Sequence, residues 1–235
     1  MQRYTQHLRV LLRSELHRVL ARLAPWLIAR SLHRGLHAVW SWGEWKELPQ
    51  DGLIVASNHH SWWDGYLVWL VIRKTGRPAS VLMGSEQLRR FRFFSHLGAI
   101  SHKAPHVALR RLRSGHMLFI FPEGALRPRG SLDEIQPGLD FLAVKAQTPV
   151  YPLALRVVMR GAQHPEAFLG FGDPIPPSEG VGEVFRTRMN SMLHELDRRI
   201  DDADPEGVPH GVQICFRGRG SVHERASWLE RWWKG

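Results

Sequence analysis

Cysteine is nearly missing from this chain: Cys215 is the one thiol in 235 residues. No internal disulfide can form, no Cys-x-x-Cys zinc site exists, and a reducing compartment fits. The sequence also lacks any run of about 18 uninterrupted apolar residues, which argues against a single-pass membrane span. Near the N-terminus Arg9, Arg13, Arg18 and Arg22 break every apolar stretch, which argues against a secretory signal. There is no Gly-x-Ser-x-Gly nucleophile elbow, and nothing has P-loop spacing. Acids are scarce beside bases, with 22 Asp+Glu against 32 Lys+Arg and a net charge of +10. What the chain does have is ordinary globular content, 43% hydrophobic and 23% charged, which excludes disorder, collagen and coiled coil for the whole chain. Its 10 Trp are unusual. Basic charge with abundant indole suits an anionic membrane surface. Nucleic acid is the competing partner.

The charge is concentrated. Residues 1–42 hold seven Arg and one acid, Glu15. Leu12, Leu16, Val19, Leu20, Leu23 and Leu27 recur at spacings of three and four, as in an amphipathic helix with a basic face that Pro25 should end or kink. Ile28, Leu32, Leu36, Val39 and Trp40 repeat the period and predict a second helix. The pair lies either in a membrane interface or on its own domain. After residue 48 short apolar runs alternate with helix-period segments. Strands are expected at 53–57, 79–83, 98–101, 116–121, 150–157 and 167–172, and helices at 62–74, 85–95, 105–114, 138–147 and 181–200. The alternation predicts an α/β fold: a mostly parallel or mixed central sheet flanked by helices, with an N-terminal amphipathic helical pair. The expected division is a basic, membrane-associating helical unit over 1–47 and an α/β domain over 48–235. Residues 201–220, rich in Gly, Pro and Asp, read as a loop. The tail with Trp228, Trp232 and Trp233 reads as an interfacial anchor or a packed helix.

Two constellations carry chemistry. In Ser57-Asn58-His59-His60-Ser61-Trp62-Trp63-Asp64-Gly65, a strand opens into a helix. A His can take a hydroxyl proton near neutral pH, and an Asp on its other ring nitrogen fixes the tautomer. On residues alone His59 and His60 are both candidates, and Asn58 or Ser61 could equally serve as a helix cap beside incidental histidines. A metal reading that uses both histidines with Asp64 lacks a third ligand. In Phe119-Ile120-Phe121-Pro122-Glu123-Gly124, an apolar strand ends at a turn that Pro and Gly favour. That turn places Glu123 at the strand's C-terminal end, ahead of Arg127 and Arg129.

Together the two resemble the glycerolipid acyltransferase family, best known for the lysophosphatidic acid acyltransferases. The family's Asn-His-x-Ser-x-x-Asp motif is matched by Asn58, His59, Ser61 and Asp64, and its Phe-Pro-Glu-Gly motif by Phe121, Pro122, Glu123 and Gly124. Val150-Tyr151-Pro152-Leu153 is similar to its fourth motif, and the likeness spans residues 50–175. The resemblance implies His59 as general base with Asp64 orienting it, and Glu123, Gly124, Arg127 and Lys103 shaping acceptor binding. It implies transfer of a fatty acyl group from acyl-CoA or acyl carrier protein to a lipid hydroxyl in glycerolipid synthesis. The thioester is a co-substrate, and no metal or other cofactor is expected. Partners would be the donor, the lipid acceptor and an anionic membrane surface, with no nucleic acid. The location would be the cytoplasmic face of a membrane, peripheral or monotopic. Two departures bear on the acceptor. Ala125-Leu126-Arg127 stands where members using phosphorylated acceptors have Thr-Arg-Ser, and Ser101-His102-Lys103 follows the strand where the second motif usually has Arg. The alternative from another class is a non-enzymatic basic protein that coats membranes or nucleic acid.

Overall fold

The computed structural model describes residues 19, 22–45, 48–224 and 226. The stretch before residue 19 and the tail with Trp228, Trp232 and Trp233 lie outside the described residues. Helix α1 covers 22–35. Then come β1 (Ala38–Trp42), β2 (Leu53–Ser57), α2 (Asp64–Thr75), β3 (Ala79–Met83), α3 (Ser85–Arg90), a 3₁₀ helix η1 (Arg92–Leu97) and β4 (Ala99–Ser101). They are followed by α4 (Pro105–Arg113), β5 (Met117–Ile120), α5 (Gly138–Ala146), β6 (Val150–Val158), β7 (Glu166–Phe171), α6 (Val181–Asp201) and β8 (Val212–Arg217).

The strands form one mixed sheet in the order β4-β3-β5-β2-β6-β7-β1-β8. Strands β2 to β6 are mutually parallel, so their C-terminal ends share one edge. Alternation along β2 shows how the layers are made. Ile54 and Ala56 point into a core shared with α4, α5 and α6, through Leu112, Leu142 and Phe185. Leu53 and Val55 point to the opposite core, shared with α1 and α2 through Leu32, Leu36, Leu67 and Val71. Helix α1 comes very near the loop before α2: a Cβ on Gly35 would sit 2.2 Å from the Trp63 ring, a distance that only glycine permits. Among the described residues no helix is long and apolar enough to cross a membrane.

Two expectations are corrected. The helical pair expected on either side of Pro25 is, among the described residues, one helix that runs through Pro25 and stops at 35, and Ala38–Trp42 instead forms a strand between β7 and β8. Leu32 and Leu36 do keep a helical face buried. Ala38 and Val39 are buried by strand neighbours from the far end of the sequence, which local periodicity cannot register. The sheet therefore runs across the division expected at residue 47. The loop expected over 201–220 contains β8, which carries Cys215. This edge strand is half exposed, and its apolar run is only Ile214 to Phe216.

Candidate active site

The site forms at the C-terminal edge of the parallel strands, between the loops after β2 and β5. In open α/β sheets this edge is where ligands bind. Past the end of β2, Asn58 continues the ladder with its side chain. Its Nδ2 donates to the Leu155 carbonyl at 3.0 Å, and its Oδ1 accepts the Leu155 N–H at 2.8 Å. The buried amide so behaves as one more strand residue and fixes where His59 begins. Helix α2 starts at Asp64, whose carboxylate folds back over the loop. Its Oδ2 accepts the N–H of His60 at 2.8 Å, the N–H of Ser61 at 2.9 Å and His59 Nδ1 at 2.8 Å. Asn58 is thus not a helix cap. Ser61 bonds the Trp63 N–H at 3.2 Å, one residue ahead of the helix.

The two histidines have different surroundings. His59 bonds Asp64, stacks on Phe121 with ring centroids 4.3 Å apart, and keeps its side chain 28% exposed. Among the described residues nothing bonds its Nε2. The His60 side chain is 6% exposed, and its Nε2 accepts the Val157 N–H at 3.1 Å. Burial lowers its pKa below the ordinary 6.5, with Asp64 opposing the shift.

The loop after β5 is tied to the first. Glu123 Oε1 accepts the His59 N–H at 2.7 Å, and the Arg127 N–H donates to the His59 carbonyl at 2.8 Å. Burial raises the Glu123 pKa, against the lowering effect of the His59 N–H bond. Gly124 sits at φ +70, the left-handed region that its place in the turn requires. From Gly124 to Ser131 the loop is exposed, including the Arg127 side chain. Lys103 shares the sheet edge but follows β4, three inter-strand spacings from β2, or roughly 14 Å. His59, Asp64, Glu123, Gly124 and the Arg127 backbone therefore come together, and Lys103 stands apart.

Sequence reasoning missed the anchor beneath the second loop. Arg156 on β6 is 1% exposed and pairs with Asp197 of α6 through Nε–Oδ1 at 2.8 Å and Nη2–Oδ2 at 2.9 Å. It also donates to the Gly130 carbonyl at 3.1 Å, and Arg129 reaches the same Asp197 at 2.6 Å. A single Arg inside an otherwise apolar strand was the available signal, but nothing local pointed to Asp197. Phe121 stacking on His59 was equally hidden, because the two lie in loops that follow separate strands.

Residues 43–156 match the sequence model of the family described as Acyltransferase. That span holds both loops of the site, and over it the chain is similar to this acyltransferase family. Among solved structures it is similar to the 1-acyl-sn-glycerophosphate (LPA) acyltransferase PlsC from Thermotoga maritima. The identity is 18% and the TM-score 0.57, covering 81% of this chain and 83% of that one. At this identity the likeness establishes the shared α/β fold.

Proposed function

We propose that the enzyme moves a fatty acyl group from acyl-CoA or acyl carrier protein to a lipid hydroxyl, with His59 as general base and Asp64 as its orienting partner. The observation that carries this reading is the 2.8 Å bond between His59 Nδ1 and Asp64 Oδ2, which turns the free Nε2 toward the open side of the site. An acceptor O–H gives its proton to Nε2 as its oxygen attacks the thioester carbonyl. The tetrahedral intermediate collapses with loss of the C–S bond. The departing sulfur takes the proton back from Nε2, leaving ester and free thiol. Glu123 and the Arg127 amide hold the His59 backbone still, while the Arg127 side chain faces the acceptor.

The acceptor is proposed to be a lysophospholipid-type lipid, in line with the substrate named for the Thermotoga protein. The Arg127 and Lys103 departures leave another lipid alcohol as the second reading. Unacylated glycerol 3-phosphate should be a poor acceptor. We also place the enzyme peripherally or monotopically on the cytoplasmic face of an anionic membrane. Support comes from α1, where Leu23, Trp26 and Leu27 are 48%, 58% and 42% exposed and Arg30 stacks on the Trp26 ring. Thiol release from acyl-CoA and from acyl carrier protein, with and without lipid acceptors, tests the reading. Acceptor-dependent release that vanishes in His59→Ala is expected. Release undiminished in that variant would refute it.

A further inference from the structure

Three loops leave the sheet at the edge that holds His59, and each carries a large apolar side chain into solvent. Trp62, after β2, is 76% exposed, the highest value of any large apolar residue among those described. Leu126, after β5, is 57% exposed, and Met159, directly after β6, is 63% exposed. Strands β2, β5 and β6 are mutually parallel, so all three residues share one edge. They also lie near His59. The Arg127 N–H bond to the His59 carbonyl at 2.8 Å keeps the Leu126 and His59 Cα atoms within about 8 Å. Trp62 follows His59 by three residues, a reach of at most roughly 11 Å. Met159 lies two residues beyond Val157, whose N–H is held by His60. The neighbouring Trp63 makes the contrast: its ring packs against α1 at Gly35, whereas Trp62 is left in water. Single exposed apolar residues are ordinary on a protein surface, but several gathered around one open site mark apolar surface that is covered in use.

We infer that Trp62, Leu126 and Met159 form an apolar lip that seats the hydrocarbon tail of the acceptor, so that the enzyme selects its acceptor by tail more than by headgroup charge. The inference rests on the acyl-transfer reading above and deepens it at the acceptor. Two observations select this occupant. The attacking hydroxyl must lie at His59 Nε2, and the atoms that follow it then fall within reach of side chains anchored beside His59. Leu126 directly precedes Arg127, whose side chain faces the acceptor in that reading. It also stands at the position where members that use phosphorylated acceptors carry Arg. A leucine there offers a phosphate nothing, but gains free energy when a hydrocarbon chain covers it. An acceptor without a tail leaves the lip wet, which gives the expected poor use of glycerol 3-phosphate a physical cause.

The test uses the full-length enzyme with whichever of acyl-CoA and acyl carrier protein the wild type accepts as donor. The acceptors are single-tailed lysophospholipids whose tail grows by one CH₂ at a time, each kept below its micelle concentration with no vesicles present. For wild type, acceptor KM should fall about two- to fourfold per added CH₂ with kcat steady. Trp62→Ser, Leu126→Ser and Met159→Ser combined should flatten that series, and their exposure keeps the fold out of the result. Trp62→Phe, which retains an apolar ring, should keep most of the slope. Leu126→Arg, which is longer but charged, should lose part of it. An unchanged slope in the triple variant would overturn the proposal. So would a triple variant that keeps the acceptor slope and loses dependence on the donor's chain length, which would give the lip to the donor. A variant that keeps the slope and loses only binding to anionic vesicles would overturn it too, by making the lip a membrane contact. A wild type that releases no thiol with either donor and any acceptor would instead sink the acyl-transfer reading, and this proposal with it.

Discussion

The loops after β2 and β5 meet at His59 but are built in opposite ways. In the first, the polar groups are spent on structure. Asn58 holds Leu155, Asp64 Oδ2 gathers three N–H groups, and His60 is held by Val157. In the second, Glu123 alone turns inward; Gly124 to Ser131 are exposed and lean on the Arg156–Asp197 pair from outside. Under the mechanism proposed above, the contrast separates two tasks. A proton-transfer group needs fixed geometry, so its loop is closed on itself. An acceptor needs entry and charge, so the other loop presents side chains to solvent. Damage to the first loop should therefore appear in kcat, and damage to the exposed part of the second in KM.

The largest expected effect is on catalysis. His59→Ala and Asp64→Ala should each lower kcat by about 10²–10⁴ with the fold intact, and His60→Ala should do much less. A His60→Ala enzyme that is dead beside an active His59→Ala enzyme would reverse the assignment. Asp64→Asn sharpens the point. Because one oxygen takes all three N–H groups, an amide oxygen can replace it and keep the His59 tautomer. Only the charge facing the imidazolium is lost, so Asp64→Asn should retain clearly more activity than Asp64→Ala. Equal loss in the two would show that orientation is not what Asp64 supplies.

Next comes the anchor. Arg156→Ala removes a buried cation and should destabilise the enzyme by about 3 kcal/mol, read from the urea midpoint. A midpoint within error of wild type would mean that the second loop stands without its buried support. A smaller effect is expected at the rim. Arg127→Ala should raise acceptor KM about tenfold with little change in kcat, since it removes binding common to ground and transition states. Unchanged KM would remove Arg127 from the acceptor's path.

The smallest effects are in pH. Burial lowers the His60 pKa, so below the ordinary 6.5 the unfolded chain takes up a proton that the folded one refuses. Stability should fall as pH drops from 6.5 toward the lowered value, and His60→Gln should flatten that slope in thermal melts. Glu123 acts in the other direction. Its raised pKa keeps a proton in the folded state that the unfolded chain has lost above 4.5, so its contribution falls as pH rises from 4.5 toward the raised value. Glu123→Gln should remove that decline; a decline that persists would assign it to other groups.

Much of this architecture was legible locally. Leu53–Ser57 and Ala79–Met83 are apolar runs bounded by turn residues, and both form strands with the expected limits. The spacing of His59 and Asp64 gave the pair, with the family resemblance choosing His59 over His60. The geometry supplies a reason for that choice, since His60 is consumed by Val157. Glu123 was read toward the acceptor, whereas its bond is to the His59 backbone. What escaped the sequence depends on distant partners: β1 and β8 exist because they pair with each other, and Arg156 is buried because Asp197 lies across from it.

The position of β1 also has a consequence in time. Its neighbour β7 begins at Glu166, paired with Ala38, and its other neighbour β8 lies further on still. At a synthesis rate of about 5–20 residues per second, β7 emerges roughly 6–26 s after β1. Throughout that interval Ala38–Trp42 is an unpaired apolar strand attached to an amphipathic helix. The central parallel strands can pair before the sheet accepts its first strand, so the segment made early is the one placed late. A nascent chain stalled before residue 166 should accordingly bind a chaperone or a lipid surface through residues 22–42, and lose that exposure once β7 is complete.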